Sequence, residues 1–284
     1  MNPQKYAITF ACYNQVEYTK MCIDSMIKHK LDLSRLVVVD NASTDSTRSY
    51  LESLPLGGLI LNKTNLGCGT AWNQGALALQ AEWTIIMNND VIVTEHWIEN
   101  LIEAAEKNNI KVISPSLIEG PLTTNSISNG ILDYDLDEFA KQSNLKMQDA
   151  MRVGGHHAVC LAVHQSVWLD IGYFQPIPKL LGFEDTMFFN EMAKANITGA
   201  MTGATWLHHF GSITQSAMKQ ERGLSEKDGL GYRYNYRLLK HSWFTRKLNK
   251  MRKSRQKRHW LSKELMEYSM SMHGTRVKGS FVWQ

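Results

Sequence analysis

Asn88-Asn89-Asp90 cuts off an apolar run, Trp83–Met87. A carboxylate where a buried strand meets solvent can bind a hard divalent cation, Mg2+ or Mn2+, with water or phosphate oxygens filling the other positions. An Asn-rich turn uses the same residues. Asp40-Asn41-Ala42-Ser43-Thr44-Asp45 follows a β-branched run, Leu36–Val39. There Asp40 can accept from a nucleobase N–H, while Ser43, Thr44 and Asp45 offer helix N-cap chemistry. Glu184-Asp185 opens a helical pattern. It reads either as capping favoured by the helix dipole or as a general base that takes a proton from a hydroxyl. His208-His209 closes a strand pattern just before Gly211 and suits either packing or metal ligation. Asn65-Leu66-Gly67-Cys68-Gly69 contains GxG but not the GxGxxG of a dinucleotide fold. Its glycines allow backbone to approach a ligand, and Asn73 lies on the helix that follows.

These residues need elements to hold them. Strands are expected at Ala7–Cys12, Leu36–Val39, Leu59–Leu61 and Trp83–Met87. Between them, helical spacing covers Val16–Ile27, a helix capped near Ser43–Asp45 runs through Leu54, and an Ala-rich helix runs from Thr70 to about Gln80. Trp97–Lys107 is helical again. Strands separated by helices argue for an α/β domain with a largely parallel sheet. In such sheets ligands sit beyond the carboxyl ends of the strands, where Tyr13-Asn14, Asp40-Asn41 and Asn88–Asp90 fall. From Lys111 to Gln148 only Val112–Ile113 reads as a strand; the rest reads as a variable insert. Beyond Arg152 come Gly154-Gly155-His156-His157, a strand at Ala158–Val163, a short helix at Gln165–Ile171, a helix at Thr186–Ala195 and a strand at Ile197–Trp206.

The 284 residues are 43% hydrophobic, enough for one core plus an appendage and too many for a disordered chain. MNPQKYAITFACYN has no signal core, and no apolar stretch is long enough to span a bilayer, so a cytoplasmic protein with reduced thiols is expected. Charge divides the chain. Residues 1–215 hold 14 Lys and Arg against 22 Asp and Glu, net −8; residues 216–284 hold 17 against 5, net +12. The two parts are expected to be a catalytic or binding domain and a basic, mainly helical extension.

ITFACYN, VVVDNASTD, NLGCGTAWNQG, WTIIMNNDVIV, GFEDTMFF and HHFGSIT occur in series from about Lys5 to Thr214. In content, order and spacing this run resembles glycosyltransferase family 2. The resemblance implies a GT-A fold (Rossmann-like, with a mostly parallel central sheet flanked by helices) over residues 1–215. Its nucleotide-sugar-binding half would be 1–110 and its acceptor half 111–215. It implies an inverting sugar transferase that uses a nucleotide-sugar donor, UDP-linked by default, in cell-surface polysaccharide or other glycoconjugate synthesis. Tyr13 and Asn14 would line the nucleotide pocket, and Asp40 would bind the base. Gly67 and Asn73 would border ribose and diphosphate. Asn88 and Asp90 would end a DxD-like element, with Asp90 on a Mn2+ or Mg2+ ion. Asn88 stands in place of the first Asp of the commonest form. His209 would complete the metal site, with His208 as the alternative. Asp185 would be the base, with Glu184 beside it, and Gly154–His157 would floor the site.

The substitution at Asn88 motivates a rival, a catalytically inactive sugar- or nucleotide-binding module of the same fold. A nucleotidyltransferase would show a Gly-rich phosphate loop with Arg or Lys near the first strand, where this chain has Cys12-Tyr13-Asn14. In the extension, Arg246–Lys263 holds nine Lys or Arg in eighteen residues. Three readings stand: a solvated helix face, an interfacial helix on anionic lipid beside a lipid-linked acceptor, and a nucleic-acid contact. The last lacks any accompanying motif, and no nucleic acid is expected.

Overall fold

A computed structural model describes residues 4–119, 135–177, 182–223, 242–277 and 280–283. The first half alternates strand and helix: β1 (Gln4–Cys12), α1 (Val16–Lys28), β2 (Leu36–Asp40), α2 (Thr47–Glu52), β3 (Gly58–Leu61), α3 (Cys68–Ala78), β4 (Ala81–Asn88), β5 (Val91–Ile92) and α4 (Trp97–Lys107). β3, β2, β1 and β4 lie side by side and parallel. Every residue of β2 is buried, as expected of a strand covered on both faces. α4 buries Trp97, Ile98, Leu101, Ile102, Ala104 and Ala105, one stripe at helical spacing, against the core.

α3 approaches the sheet through small residues. A Cβ on Gly75 would lie 1.8 Å from Thr9 Oγ1 and 2.7 Å from Thr9 Cβ, so glycine lets the helix sit on β1. Gly75→Ala is therefore expected to lower stability by about 2 kcal/mol through overpacking, read as the denaturant midpoint at constant slope. An unchanged midpoint would mean that the helix can lift without cost.

The second half inserts antiparallel strands. It comprises β6 (Val112–Glu119), α5 (Leu136–Met147), β7 (Met151–Val153), β8 (Cys160–His164), α6 (Gln165–Ile171), α7 (Glu184–Lys194), β9 (Gly199–His209), α8 (Ile213–Glu221), α9 (Trp243–Tyr268), β10 (His273–Val277) and β11 (Ser280–Trp283). The main path across the sheet is β11-β10-β6-β8-β4-β1-β2-β3. β8 runs antiparallel between β4 and β6. β9 runs parallel to β6 and antiparallel to β5 and β7. That pairing brings His209 beside Val91 and Glu119 at one end of the sheet.

Among the elements that differ from the sequence expectation, three stand out. β6 continues through Ser114-Pro115-Ser116 to Glu119, with a register shift between Ser114 and Ser116 that accommodates the proline. Within the expected insert, α5 forms with Asp135 as its N-cap, accepting from the Glu138 N–H at 3.0 Å; residues 120–134 lie outside the described residues. The extension is helical through α9 but also contains β10, which pairs in parallel with β6 from His273 opposite Leu117 to Thr275 opposite Glu119. α9 is tied down by a buried fork. Glu264 accepts from Arg152 Nε at 2.7 Å and Nη2 at 2.5 Å, and also from the Met272 N–H at 3.2 Å.

Candidate active site

A cleft of about 650 Å³ opens at the carboxyl ends of β1, β2 and β4. Tyr13, Gly67, Asn88, Asp90, Glu184, Asp185 and His209 line it; Asn14, Asp40, Asn73 and His208 do not.

On one wall of the cleft, Asp90 occupies the turn between β4 and β5, and His209 ends β9. Both are buried, with His209 Nε2 3.4 Å from Asp90 Oδ1. Nδ1 of the same ring lies 3.3 Å from Glu119 Oε1, and Asn88 Nδ2 lies 3.5 Å from Nε2. Burial works against a charged ring, yet hydrogen bonds and the charges of Asp90 and Glu119 push His209 up to about 9. Glu119 thus orients the imidazole with Nε2 toward Asp90, the arrangement that carboxylates commonly impose on ligand histidines. One carboxylate oxygen and one imidazole nitrogen can hold Mn2+ or Mg2+, with water and phosphate oxygens as the remaining ligands. Among the described residues no third His, Cys, Asp or Glu joins them in a metal-holding group. Strand alternation separates the His doublet: His208 is buried away from the cleft, edge-on to Phe210 at 4.6 Å.

The start of α7 also lines the cleft. Phe183 at its N-cap adopts φ 72, and Glu184 and Asp185 occupy the first turn. Glu184 turns back to accept from the Gly182 N–H at 2.8 Å and packs its Cβ toward Gly69. Burial, reinforced by the neighbouring Asp185 charge, pushes it up to about 7. Asp185 Oδ1 accepts from the Thr186 N–H at 2.6 Å, and the residue lines the cleft.

The Glu184 shift has a thermodynamic sign. Its folded value of about 7 exceeds the ordinary 4.5, so the unfolded chain releases this proton first. The contribution is full below the unfolded value and is lost as pH rises through the folded one. From about pH 5 to 7.5 the wild-type Tm is expected to fall more steeply than that of Glu184→Gln, measured by calorimetry. Parallel curves would place Glu184 among ordinary carboxylates.

The loops after β1, β2 and β3 form a set of hubs. Asn14 is left-handed at φ 53; its Oδ1 accepts from the Thr44 N–H at 2.7 Å, and its Nδ2 donates to Glu221 at 2.8 Å. Tyr13 donates its hydroxyl to the same Glu221 at 3.0 Å, tying α8 to the end of β1. Asp40, 2% exposed, accepts from the Ser43 N–H at 3.1 Å. Asn73 exchanges two hydrogen bonds with the Phe174 backbone, at 2.7 and 3.0 Å, and so fixes the loop before α7.

Some residues in or behind the cleft lining escaped the sequence reading. Asn41 accepts from the Leu66 N–H and from Asn62 Nδ2 and donates to the Gly67 carbonyl, shaping the glycine turn; its only signal was its place after Asp40. Glu119, inside the expected insert, and Glu221 carried no signal at all. Of Gly154–His157, His157 reaches the cleft, while His156 packs edge-on against Phe189 at 4.5 Å.

Two helix N-termini face the cleft. α3 begins beyond its N-cap Gly67, and α8 begins beyond Ser212; neither carries an acid in its first turn or a side-chain cap. Free N–H groups there, with the helix dipole, favour an anion such as phosphate.

This mixed sheet, with its cleft at the strand ends and Asp90 in the turn after β4, is a GT-A glycosyltransferase fold. Residues 8–168 match the family model for glycosyl transferase family 2, more than half of the chain, and the protein belongs to that family. An uncharacterized glycosyltransferase of Haemophilus influenzae is 29% identical over 106 residues, covering 36% of this chain and 33% of that protein. One from Rickettsia felis is 28% identical over 103 residues, covering 36% and 17%. The chain therefore aligns with a third or less of each relative's length. Among solved structures, it resembles mannosyltransferase PcManGT from Pyrobaculum calidifontis in complex with GDP-Man and Mn2+. The TM-score is 0.53 at 17% identity, over 78% of this chain and 61% of that one. It also resembles S. aureus TarS 1–349, with a TM-score of 0.51 at 15% identity, over 74% and 61%. At these identities the two structures speak for the fold.

Proposed function

We propose that the protein transfers a sugar from a nucleoside-diphosphate sugar, UDP-linked by preference, to a hydroxyl of a glycan or glycoconjugate. The reaction inverts the anomeric carbon and serves cell-surface polysaccharide synthesis, acting from the cytoplasm on a glycan or lipid-linked acceptor. The observation that carries this reading is the shared cleft, lined by Asp90, His209, Asp185 and two uncapped helix N-termini.

Asp185 takes the proton of the acceptor hydroxyl. The acceptor oxygen forms its bond to the anomeric carbon as the bond from that carbon to the diphosphate oxygen breaks, and the electron pair leaves on the nucleoside diphosphate. The N-termini of α3 and α8 hold the phosphates through backbone N–H groups. Asp90 and His209 would hold Mn2+ or Mg2+, which when bound supplies neutralisation of leaving-group charge. Asn88, at the head of the triplet, donates hydrogen bonds to ribose or to water. Tyr13 lines the nucleotide end.

A thermal-shift series with UDP, GDP, TDP and CDP, each with and without Mn2+, tests the donor site. A metal-dependent rise with one nucleotide is expected, largest for UDP. No rise with any of them would leave a binding module of the same fold as the better reading. Proton NMR of the product then reads the anomer, and retention of configuration would sink the single displacement.

A further inference from the structure

We propose that the outward face of α9 lies on an anionic lipid bilayer. The helix has 26 residues, about 39 Å at 1.5 Å per residue. One side belongs to the protein body. Glu264 is buried in its fork with Arg152, Trp260 and Leu261 are half-buried, and the Gln256 amide approaches Gly154.

The opposite side is built differently. Phe244, Leu248, Met251 and Met266 are 68%, 38%, 54% and 83% exposed. At 3.6 residues per turn they share a stripe about 80° wide with Arg255 and Arg258, both exposed. Lys247 and Arg252 flank that stripe, and no Asp or Glu occurs from residue 242 to residue 263. Along one solvent-facing edge, large apolar side chains (Phe244, Leu248, Met251) thus lead into a pair of arginines (Arg255, Arg258), with Met266 beyond them.

A bilayer interface satisfies both kinds of residue. Phe and Met enter the acyl boundary, while arginine stems lie along it with their guanidinium groups among lipid phosphates. A nucleic-acid backbone would satisfy the arginines and leave Phe244 and Met266 in water. No helix among the described residues is long and apolar enough to cross a membrane, so the contact is a lateral one.

The inference does not rest on the catalytic reading, and its test reads binding alone. Full-length protein is sedimented with phosphatidylcholine vesicles and with vesicles containing about 30% phosphatidylglycerol at low salt. Binding is expected only to the anionic vesicles. Arg255→Ala with Arg258→Ala is expected to weaken it about 30-fold, at roughly fivefold per basic residue. Phe244→Gln with Met251→Gln is expected to weaken it further by removing the apolar anchor. Both double variants should keep the wild-type Tm. No binding to anionic vesicles, equal binding to neutral ones, wild-type binding by both double variants, or retention on DNA instead of vesicles would each overturn the proposal.

Discussion

Asp90→Ala is expected to lower transfer by about three orders of magnitude, since removing one electrostatic group poised at developing charge typically costs a hundred- to a thousandfold, and a metal ligand at least as much. Asp90 is the carboxylate of the β4–β5 turn that faces the cleft, and its backbone carbonyl separately accepts from the Phe210 N–H at 3.1 Å. Alanine keeps that backbone bond and removes only the side chain. His209 retains Glu119 at 3.3 Å, so the ring stays anchored. The variant is therefore expected to fold, with an unchanged far-UV spectrum, and to lose the Mn2+-dependent part of its UDP thermal shift. Initial rates of nucleotide release across a Mn2+ titration give the comparison. Activity within tenfold of wild type would remove Asp90 from the metal role.

Asp185→Asn is expected to cost a hundred- to ten-thousandfold in kcat, the usual range for loss of a general base, with donor KM nearly unchanged. Glu184→Gln is the informative contrast. Glu184 is turned onto the Gly182 N–H and held up to about 7 by burial, so it keeps its proton into the range where a base must have lost it. It is expected to stay within about tenfold of wild type, because a glutamine amide oxygen can accept the same N–H. The reverse pattern, a silent Asp185→Asn and an inactive Glu184→Gln, would move the base by one residue.

The α/β half was legible because its signals were local. Leu36–Asp40 carries three β-branched valines and is fully buried, and Trp97–Lys107 carries a strong helical stripe between clear breaks; both elements form where the pattern puts them. β6 was read two residues long because Ser114-Pro115-Ser116 imitates a loop, and only pairing with β9 on one side and β8 and β10 on the other holds it extended. α5 has a mean apolarity too low to announce itself, and packing of Leu136, Ala140 and Met147 makes it. Within the site, Asp90, Asp185 and His209 were visible as polar residues at element ends. The sorting of His209 from His208 depends on strand alternation fixed by the register with β5, and Glu119 depends on a pairing ninety residues away in sequence. The spending of the Asn14 and Asn73 side chains on backbone groups of other loops is equally non-local.

The pairing of β10 with β6 also sets an order of events during synthesis. Leu117–Glu119 leaves the ribosome about 150 residues before the strand that completes its edge. At the usual elongation speed that interval is on the order of ten seconds, long compared with helix or hairpin formation. Throughout it the nascent chain presents an open edge beside the carboxylate that will orient His209, a template for the wrong partner. Nascent chains halted before residue 273 should accordingly be held by chaperones, and the late strand works as a seal on a sheet already built.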